Sequence, residues 1–525
     1  MRSAGWPNAT TSPSSSASGI TSTNTISLSR LTRVLFLMHR GVSDAPWPGM
    51  GRRHFDSVWE RRMFGPVELD HEEVAMRKPL RLLGLILFVA GTLAVPSIAA
   101  ADHDERPSND LHALGHSRNP ASFFNPTPEA PATNINSDLA FWGDRAYQGN
   151  YNGFRIIDIS TPRQPELVFR QDNCIGNQGD VVVWGDILIR SWNSPAGSGS
   201  TATLSCDGVP VPPGWEGVHV FDISDEQNPE VVAMVQTRCG SHTATGVPDV
   251  ENNRLLVYSS SSAHSDEDPN PPATCDWFDL IEVPLDAPEG AALLKEVPSM
   301  HTCHDIGVIL GDVLKAACAG GEGFRVFSLG APDGGALDDP KLLYHVEEPG
   351  VTVGHSAGWT WDGEVIIFGW EPGGGAAAEC EATDDPLKKS MLFYDADTGQ
   401  KLGMWTLPRP QGPTENCTIH NYNTLPVRSG KYVAVSGNYQ AGTWVTVFTN
   451  PSRPRAEGWS DPEPITPADL GGAWSSYFYN GFIYESSINE GLNVFRISKK
   501  REREELQRGL IHLDHLNPQT QEFSL

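Results

Sequence analysis

The chain has 525 residues with 51 Gly, 41 Pro and 9% aromatics, long for one average domain but within the range of a single all-β unit. Its 38 Lys+Arg against 65 Asp+Glu give a formal charge of -27. A surface of that sign repels phosphate backbones and argues against nucleic acid as a partner, while selecting no other ligand.

In chain order, residues 1–75 open on a Ser/Thr/Ala/Gly-rich stretch and carry no sustained helical or strand periodicity. Met76-Arg77-Lys78-Pro79-Leu80-Arg81 is basic, Leu82 to Val95 is apolar, and Ser97-Ile98-Ala99-Ala100-Ala101 offers small residues for cleavage. This is the order of a secretory signal peptide, and the apolar run is short for a membrane span. The expected organisation is an upstream extension (1–75) from a start codon placed too far upstream, then a signal peptide (76–101). A mature, secreted chain without a transmembrane anchor follows from near Asp102; a signal anchor with a cytoplasmic tail is the alternative. Residues 102–131 read as a linker, 132–498 as the repeat domain, and 499–525 as a tail offering a closing strand.

All eight cysteines (Cys174, Cys206, Cys239, Cys275, Cys303, Cys318, Cys380, Cys417) follow the cleavage site. An even count in the exported part reads as a disulfide framework. No CxxC pair occurs, which argues against a zinc knuckle or a thioredoxin-like site.

One phrase recurs along the chain: Gly153-Phe154-Arg155-Ile156-Ile157-Asp158-Ile159-Ser160, then Gly217-Val218-His219-Val220-Phe221-Asp222-Ile223-Ser224. It returns as Gly323-Phe324-Arg325-Val326-Phe327-Ser328-Leu329 and Gly491-Leu492-Asn493-Val494-Phe495-Arg496-Ile497-Ser498. Weaker copies at Leu280–Pro284, Met391–Asp395 and Trp444–Phe448 bring the total to seven. Ahead of most copies lies a strand, an Asx/Gly turn and another strand, as in Leu139 to Tyr147 and Val181 to Ile189, and a further apolar run often follows. Each unit thus supplies about four short strands, the content of a propeller blade. A blade cannot bury both faces alone, so the units stack radially. The expectation is an all-β, seven-bladed β-propeller of four-stranded blades.

The Gly-x-x-Ile/Val-x-Asp-Ile-Ser…Pro phrase resembles the LVIVD repeat of secreted bacterial β-propellers, over about Asn134 to Ser498. The resemblance implies architecture and export, and little about chemistry. Spacing alone leaves the cysteine pairing open. The repeat favours pairs within a blade or its adjoining loop: Cys174–Cys206, Cys239–Cys275, Cys303–Cys318 and Cys380–Cys417. Ring closure requires a strand for the terminal blade, from the segment before Asn134 or from Leu510-Ile511-His512-Leu513.

Gly354-His355-Ser356-Ala357-Gly358 matches a nucleophile elbow, but Trp359-Thr360-Trp361-Asp362-Gly363 after it reads as strand and turn rather than the required helix. The Gly-rich stretches at 320–323 and 373–375 read as loops, and Ser265-Asp266-Glu267-Asp268 lacks the spacing of an EF-hand. Counting back from each Asx/Gly turn gives similar places in successive units: Asn136, Gln178, His242, His304, His355, His420 and Trp474. The innermost strand of each blade lines the axis, so these positions ring one channel mouth. Four imidazoles there point to a transition metal such as Zn, Cu or Fe. Asp305 is the candidate to orient a ring, with Asn136 and Gln178 as a polar rim. The arrangement resembles the four-His axial site of carotenoid oxygenases and, more loosely, selenium-binding-protein-type oxidases, both propellers. Two functions follow as expectations. One is a secreted binding or scaffolding protein contacting a ligand, glycan or protein at the channel mouth; the other is a metal-dependent oxidoreductase.

Overall fold

The β-branched and aromatic runs of the repeat form strands throughout. The computed structural model is all-β in a propeller-like arrangement, with a few 3-10 turns and no α-helix among the described residues. The structure describes residues 108, 110–119, 135–174, 178–192, 204–212, 214–261, 274–427, 430–465, 470–498 and 510–522. The upstream extension, the signal segment, the loop 265–268 and residues 499–509 lie outside them. Among the described residues no helix is long and apolar enough to cross a membrane.

The first unit sets the pattern. Strands Asn136–Trp142, Arg145–Asn150, Gly153–Asp158 and Glu166–Gln171 form an antiparallel meander in chain order. The third strand carries the repeated phrase and is covered on both faces, with Phe154, Ile156 and Ile157 buried, which is why it reads as a near-continuous apolar run. A Cβ at Gly153 would run into the Gln171 carbonyl, and one at Gly491 into the Ser117 carbonyl. That close approach explains the glycine at the head of the phrase. A bulge between third and fourth strands recurs at Ile156/Ile157, Val220/Phe221, Leu280/Ile281, Val326/Phe327, Phe393/Tyr394 and Val445/Thr446. Repeated bulges bend each outer strand in the same way and add twist.

The sheets group differently from the expected seven. Five stand as separate blades of four or five strands, while the last two units share one eight-stranded sheet. They are joined there by a parallel pairing of Asn421–Tyr422 with Ser475–Ser476. The join rests on two residue pairs alone, at the starts of the first strands Asn421–Thr424 and Ala473–Tyr479. First strands touch their neighbours in cyclic order, from Asn136–Trp142 through Val181–Trp184, Thr243–Asp249, Ile306–Leu310, Gly354–Trp359, Asn421–Thr424 and Ala473–Tyr479 back to the start. Between sheets the contact is apolar: Phe324 packs 5.5 Å from Phe368 and 5.0 Å from Tyr394, beside Val326, Trp359 and Ile366. Each such ring contributes about 1.5–3 kcal/mol by burial.

Both termini hold the ring. Leu111–Arg118, inside the segment read as a linker, pairs antiparallel with Gly491–Ile497 as the outer strand of the last unit. The buried Arg155 of the first unit fastens it, donating to Ser117 Oγ at 3.0 Å and to Asn119 Oδ1 at 3.2 Å. The tail does not add a strand to the terminal unit. It pairs instead with first strands, His515–Leu516 with Phe141–Trp142 and Thr520–Glu522 with Val308–Leu310. Four disulfides join Cys174–Cys206, Cys239–Cys275, Cys303–Cys318 and Cys380–Cys417, each within one unit or its adjoining loop.

Candidate metal centre

Each repeat-equivalent histidine sits where a first strand begins. The backbone N–H groups of His242, His304 and His420 donate to the carbonyls of Ser260, Ala319 and Gly437 at 2.7, 2.6 and 3.1 Å. These acceptors all lie at the end of the second strand of the same unit. His355 is the second residue of Gly354–Trp359. The four rings stand in an arc, with centroid separations of 4.2 Å (His242–His304), 4.3 Å (His304–His355) and 4.3 Å (His355–His420). His242, His355 and His420 are buried, and the His304 side chain keeps 14% of its exposure.

A carboxylate that sequence reasoning missed completes the cluster. Glu371 follows the strand Val365–Trp370 and is buried. Its Oε2 lies 3.6 Å from His304 Nε2 and 3.8 Å from His355 Nε2, and its Oε1 lies 3.5 Å from His420 Nε2. The Tyr439 hydroxyl donates to Oε1 at 2.9 Å, and its ring lies 4.5 Å from that of His420. Neither residue occupies a repeated position, so periodicity gives no signal for them. His355, Glu371 and His420 form one group that could hold a metal ion, and His304, Asp305 and His355 a second.

Hydrogen bonds fix the far side of two rings. His420 Nδ1 meets the Trp474 carbonyl at 2.5 Å. A carbonyl only accepts, so this nitrogen carries the proton and Nε2 presents its lone pair toward Glu371. His304 Nδ1 meets Asp305 Oδ1 at 3.1 Å with the same consequence. Burial holds His242 and His355 well below the usual imidazole range and brings His420 to about 3, with neighbouring histidines adding to the effect. His304 is the exception: burial lowers it, but Asp305 and Glu371 outweigh burial and leave it raised. Burial also pushes the Glu371 carboxyl up.

The remaining predicted positions divide. Asp305 is fully buried and bonded to His304, and Gln178 Nε2 lies 3.4 Å from His242 Nε2. Asn136 is occupied elsewhere: it donates to the Ser487 carbonyl at 2.8 Å and accepts from Asn150 at 3.0 Å, tying first unit to last rather than forming a rim. Ser356 donates to the His420 carbonyl at 3.2 Å from within a strand, a context without the strained elbow a nucleophile needs. Cys174, Cys206 and His219 also cluster, but the two cysteines form a disulfide and supply no thiolate.

Residues 136–173, which are the first unit, match the family model of the LVIVD repeat. No curated protein matches the chain.

Proposed function

We propose that the protein is a secreted propeller of seven four-stranded units that holds one transition-metal ion, Zn, Cu or Fe, at one mouth of its channel and binds a ligand there. Counting the eight-stranded sheet as two units is supported by the cyclic contacts of the first strands. Export is supported by the four disulfides and by the signal-peptide order of residues 76–101. The ligands are His242, His304, His355 and His420, with Glu371 as a further donor.

One observation carries the metal reading. The Nε2 atoms of His304, His355 and His420 converge on one buried carboxylate, at 3.6, 3.8 and 3.5 Å from the Glu371 oxygens. Two donors bound to one ion at about 2.0–2.1 Å lie about 3–3.5 Å apart, so a small inward movement closes the site on a cation. The second contacts are those that metal-binding imidazoles use, a carboxylate for His304 and a backbone carbonyl for His420. Among the described residues seven non-glycines have positive φ, and Gln178, Tyr439 and Gln519 among them touch the histidines or the groups that hold them. Backbone strain of this kind gathers at functional sites.

The ligand at the mouth is a small molecule, a glycan or a protein segment, with the metal as its anchor. A metal-dependent oxidoreductase is the second reading, favoured by Tyr439 and Trp474, whose rings lie 4.5 and 5.0 Å from that of His420. Metal analysis of the exported protein tests the proposal. About one equivalent of metal, lost in a His355→Ala/His420→Ala double variant, is expected. A metal-free wild type with no affinity for Zn, Cu or Fe leaves a binding scaffold alone.

A further inference from the structure

At the end of the channel opposite the histidines, the C-terminal segment touches every unit in turn. Ile511 N donates to the Pro426 carbonyl at 2.8 Å, and Leu513 N to Asn480 Oδ1 at 3.0 Å. His515–Leu516 pairs with the first strand of the first unit. Asn517 takes the Val183 N–H at 2.7 Å and returns a bond to its carbonyl at 2.8 Å. Thr520 donates to the Gly246 carbonyl at 2.8 Å, and Thr520–Glu522 pairs with Val308–Leu310. Gln521 accepts from Trp359 N at 3.1 Å and donates to Thr424 Oγ1 at 3.0 Å. A segment needed only to add a strand to the terminal unit would have to touch one unit; this one makes a full lap.

One residue of the lap reaches toward the histidines. Gln519 has φ +62, a left-handed conformation that an unbranched residue adopts only when its surroundings hold it there. Its Nε2 donates to Asp305 Oδ2 at 2.8 Å, while Asp305 Oδ1 holds His304 Nδ1 at 3.1 Å. Asp305 has a competing partner. Its Oδ2 lies 3.9 Å from His355 Nδ1, a buried nitrogen without a hydrogen-bond partner.

We propose that Gln519 is a positioning residue for the metal centre: by occupying Asp305 Oδ2 it commits that carboxylate to His304 and keeps it off His355. Removing the amide frees Asp305 to turn toward the Nδ1 of His355, and His304 loses the group that orients its ring. The tail thereby sets the donor geometry of a site at the other end of the channel. This rests on the metal reading above.

The test uses the full mature chain with Gln519→Leu, and with Gln521→Leu as a tail control that never touches Asp305. In Co2+ competition against a chelator, Gln519→Leu should weaken binding about 10-fold or more, the scale of losing a group that orients a ligand, while Gln521→Leu stays within about 2-fold. In 15N-histidine NMR of the metal-free protein, wild-type His304 should hold its proton on Nδ1, and Gln519→Leu should mix the tautomers of His304 and shift His355. Equal effects of both variants, or no effect of Gln519→Leu, overturn the proposal. Should wild type bind no Co2+, the metal reading fails, and the NMR comparison still decides whether Gln519 directs Asp305.

Discussion

The same first strands build both ends of the channel, and the two ends are finished in opposite ways. At one end the strands begin with His242, His304, His355 and His420, one side chain per unit at a position the repeat makes equivalent. At the other they finish beneath a single segment whose Asn517, Thr520 and Gln521 satisfy individual backbone groups. Repetition suits chemistry, because one residue type placed at equivalent positions converges on the axis. It does not suit sealing, because each gap at the far end offers different donors and acceptors and needs a different partner. On this comparison the proposed function falls to the histidine end and closure to the tail end.

Deleting the tail should have the largest effect. A chain ending at Gly509 loses the buried Leu513 and Leu516 and uncovers the backbone groups of Val183 and Gly246. Losing two buried leucines removes about 3–6 kcal/mol of burial together with the segment's hydrogen bonds, and although the freed segment regains conformational entropy, a clear net loss of stability is expected. Urea denaturation measures it, and a loss under about 1 kcal/mol would mean that the tail does not close the channel.

At the histidine end the fold should be tolerant and the chemistry severe. His304→Ala with His355→Ala should lower metal affinity by about 1,000-fold, equivalent to about 4 kcal/mol, while the far-UV circular dichroism stays that of wild type. If the double variant unfolds as readily as the truncated chain, the histidines serve closure as well and the division between the ends breaks down.

How much of this was legible in the sequence follows from what repeats. The phrase headed by Gly153, Gly217, Gly323 and Gly491 located the third strands, and its glycines are there because an outer-strand carbonyl leaves no room for a Cβ. Local pairing of the cysteines also followed from the units, since each disulfide stays within one unit or its adjoining loop. Grouping of the sheets was not legible: the merging of the last two units depends on one short strand pairing with its neighbour, which no repeat encodes. The histidine positions were readable because each sits at a similar distance from its turn, equal for His304 and His355 and slightly longer for His242 and His420. Glu371, Tyr439 and Gln519 were not, because each occurs once, in a loop or tail whose partners are distant in sequence. Asn136 was misplaced for a related reason: it holds the equivalent position, but it lies where the ring closes and is consumed by Asn150 and Ser487.

Disulfide removal separates the ends at intermediate strength. Cys303 precedes His304, and Cys318 precedes Ala319, the acceptor of the His304 N–H. Replacing both by Ala opens a loop with a sequence separation of 15 residues and should cost about 3 kcal/mol. Hydrogen exchange should rise at the His304 amide and remain unchanged at Val183, whose amide the tail holds. Equal deprotection at both amides would mean that the ends open together.

The smallest expected effect comes from between the ends, at Asp138 on the first strand of the first unit. Its carboxylate is fully buried, accepting from Tyr477 at 2.8 Å and Asn421 at 3.0 Å through Oδ2 and from Leu139 N at 2.8 Å through Oδ1. Burial pushes it up to about 7 from an ordinary 3.8, against the pull of those bonds. The folded chain therefore keeps a proton that the unfolded chain has released across that window. Stability is highest below the ordinary value, falls as pH rises toward 7, and levels off above it. Asp138→Asn cannot release a proton, so its stability should fall less steeply than wild type between about pH 4 and about pH 8. Some slope should persist, because burial and the nearby Asp138 also raise Asp180, which lies one unit away. Urea midpoints collected across that range in metal-free buffer measure the difference. Parallel profiles for the two proteins would mean that Asp138 is ionised in the folded channel, and that its charge is balanced there by something other than a proton.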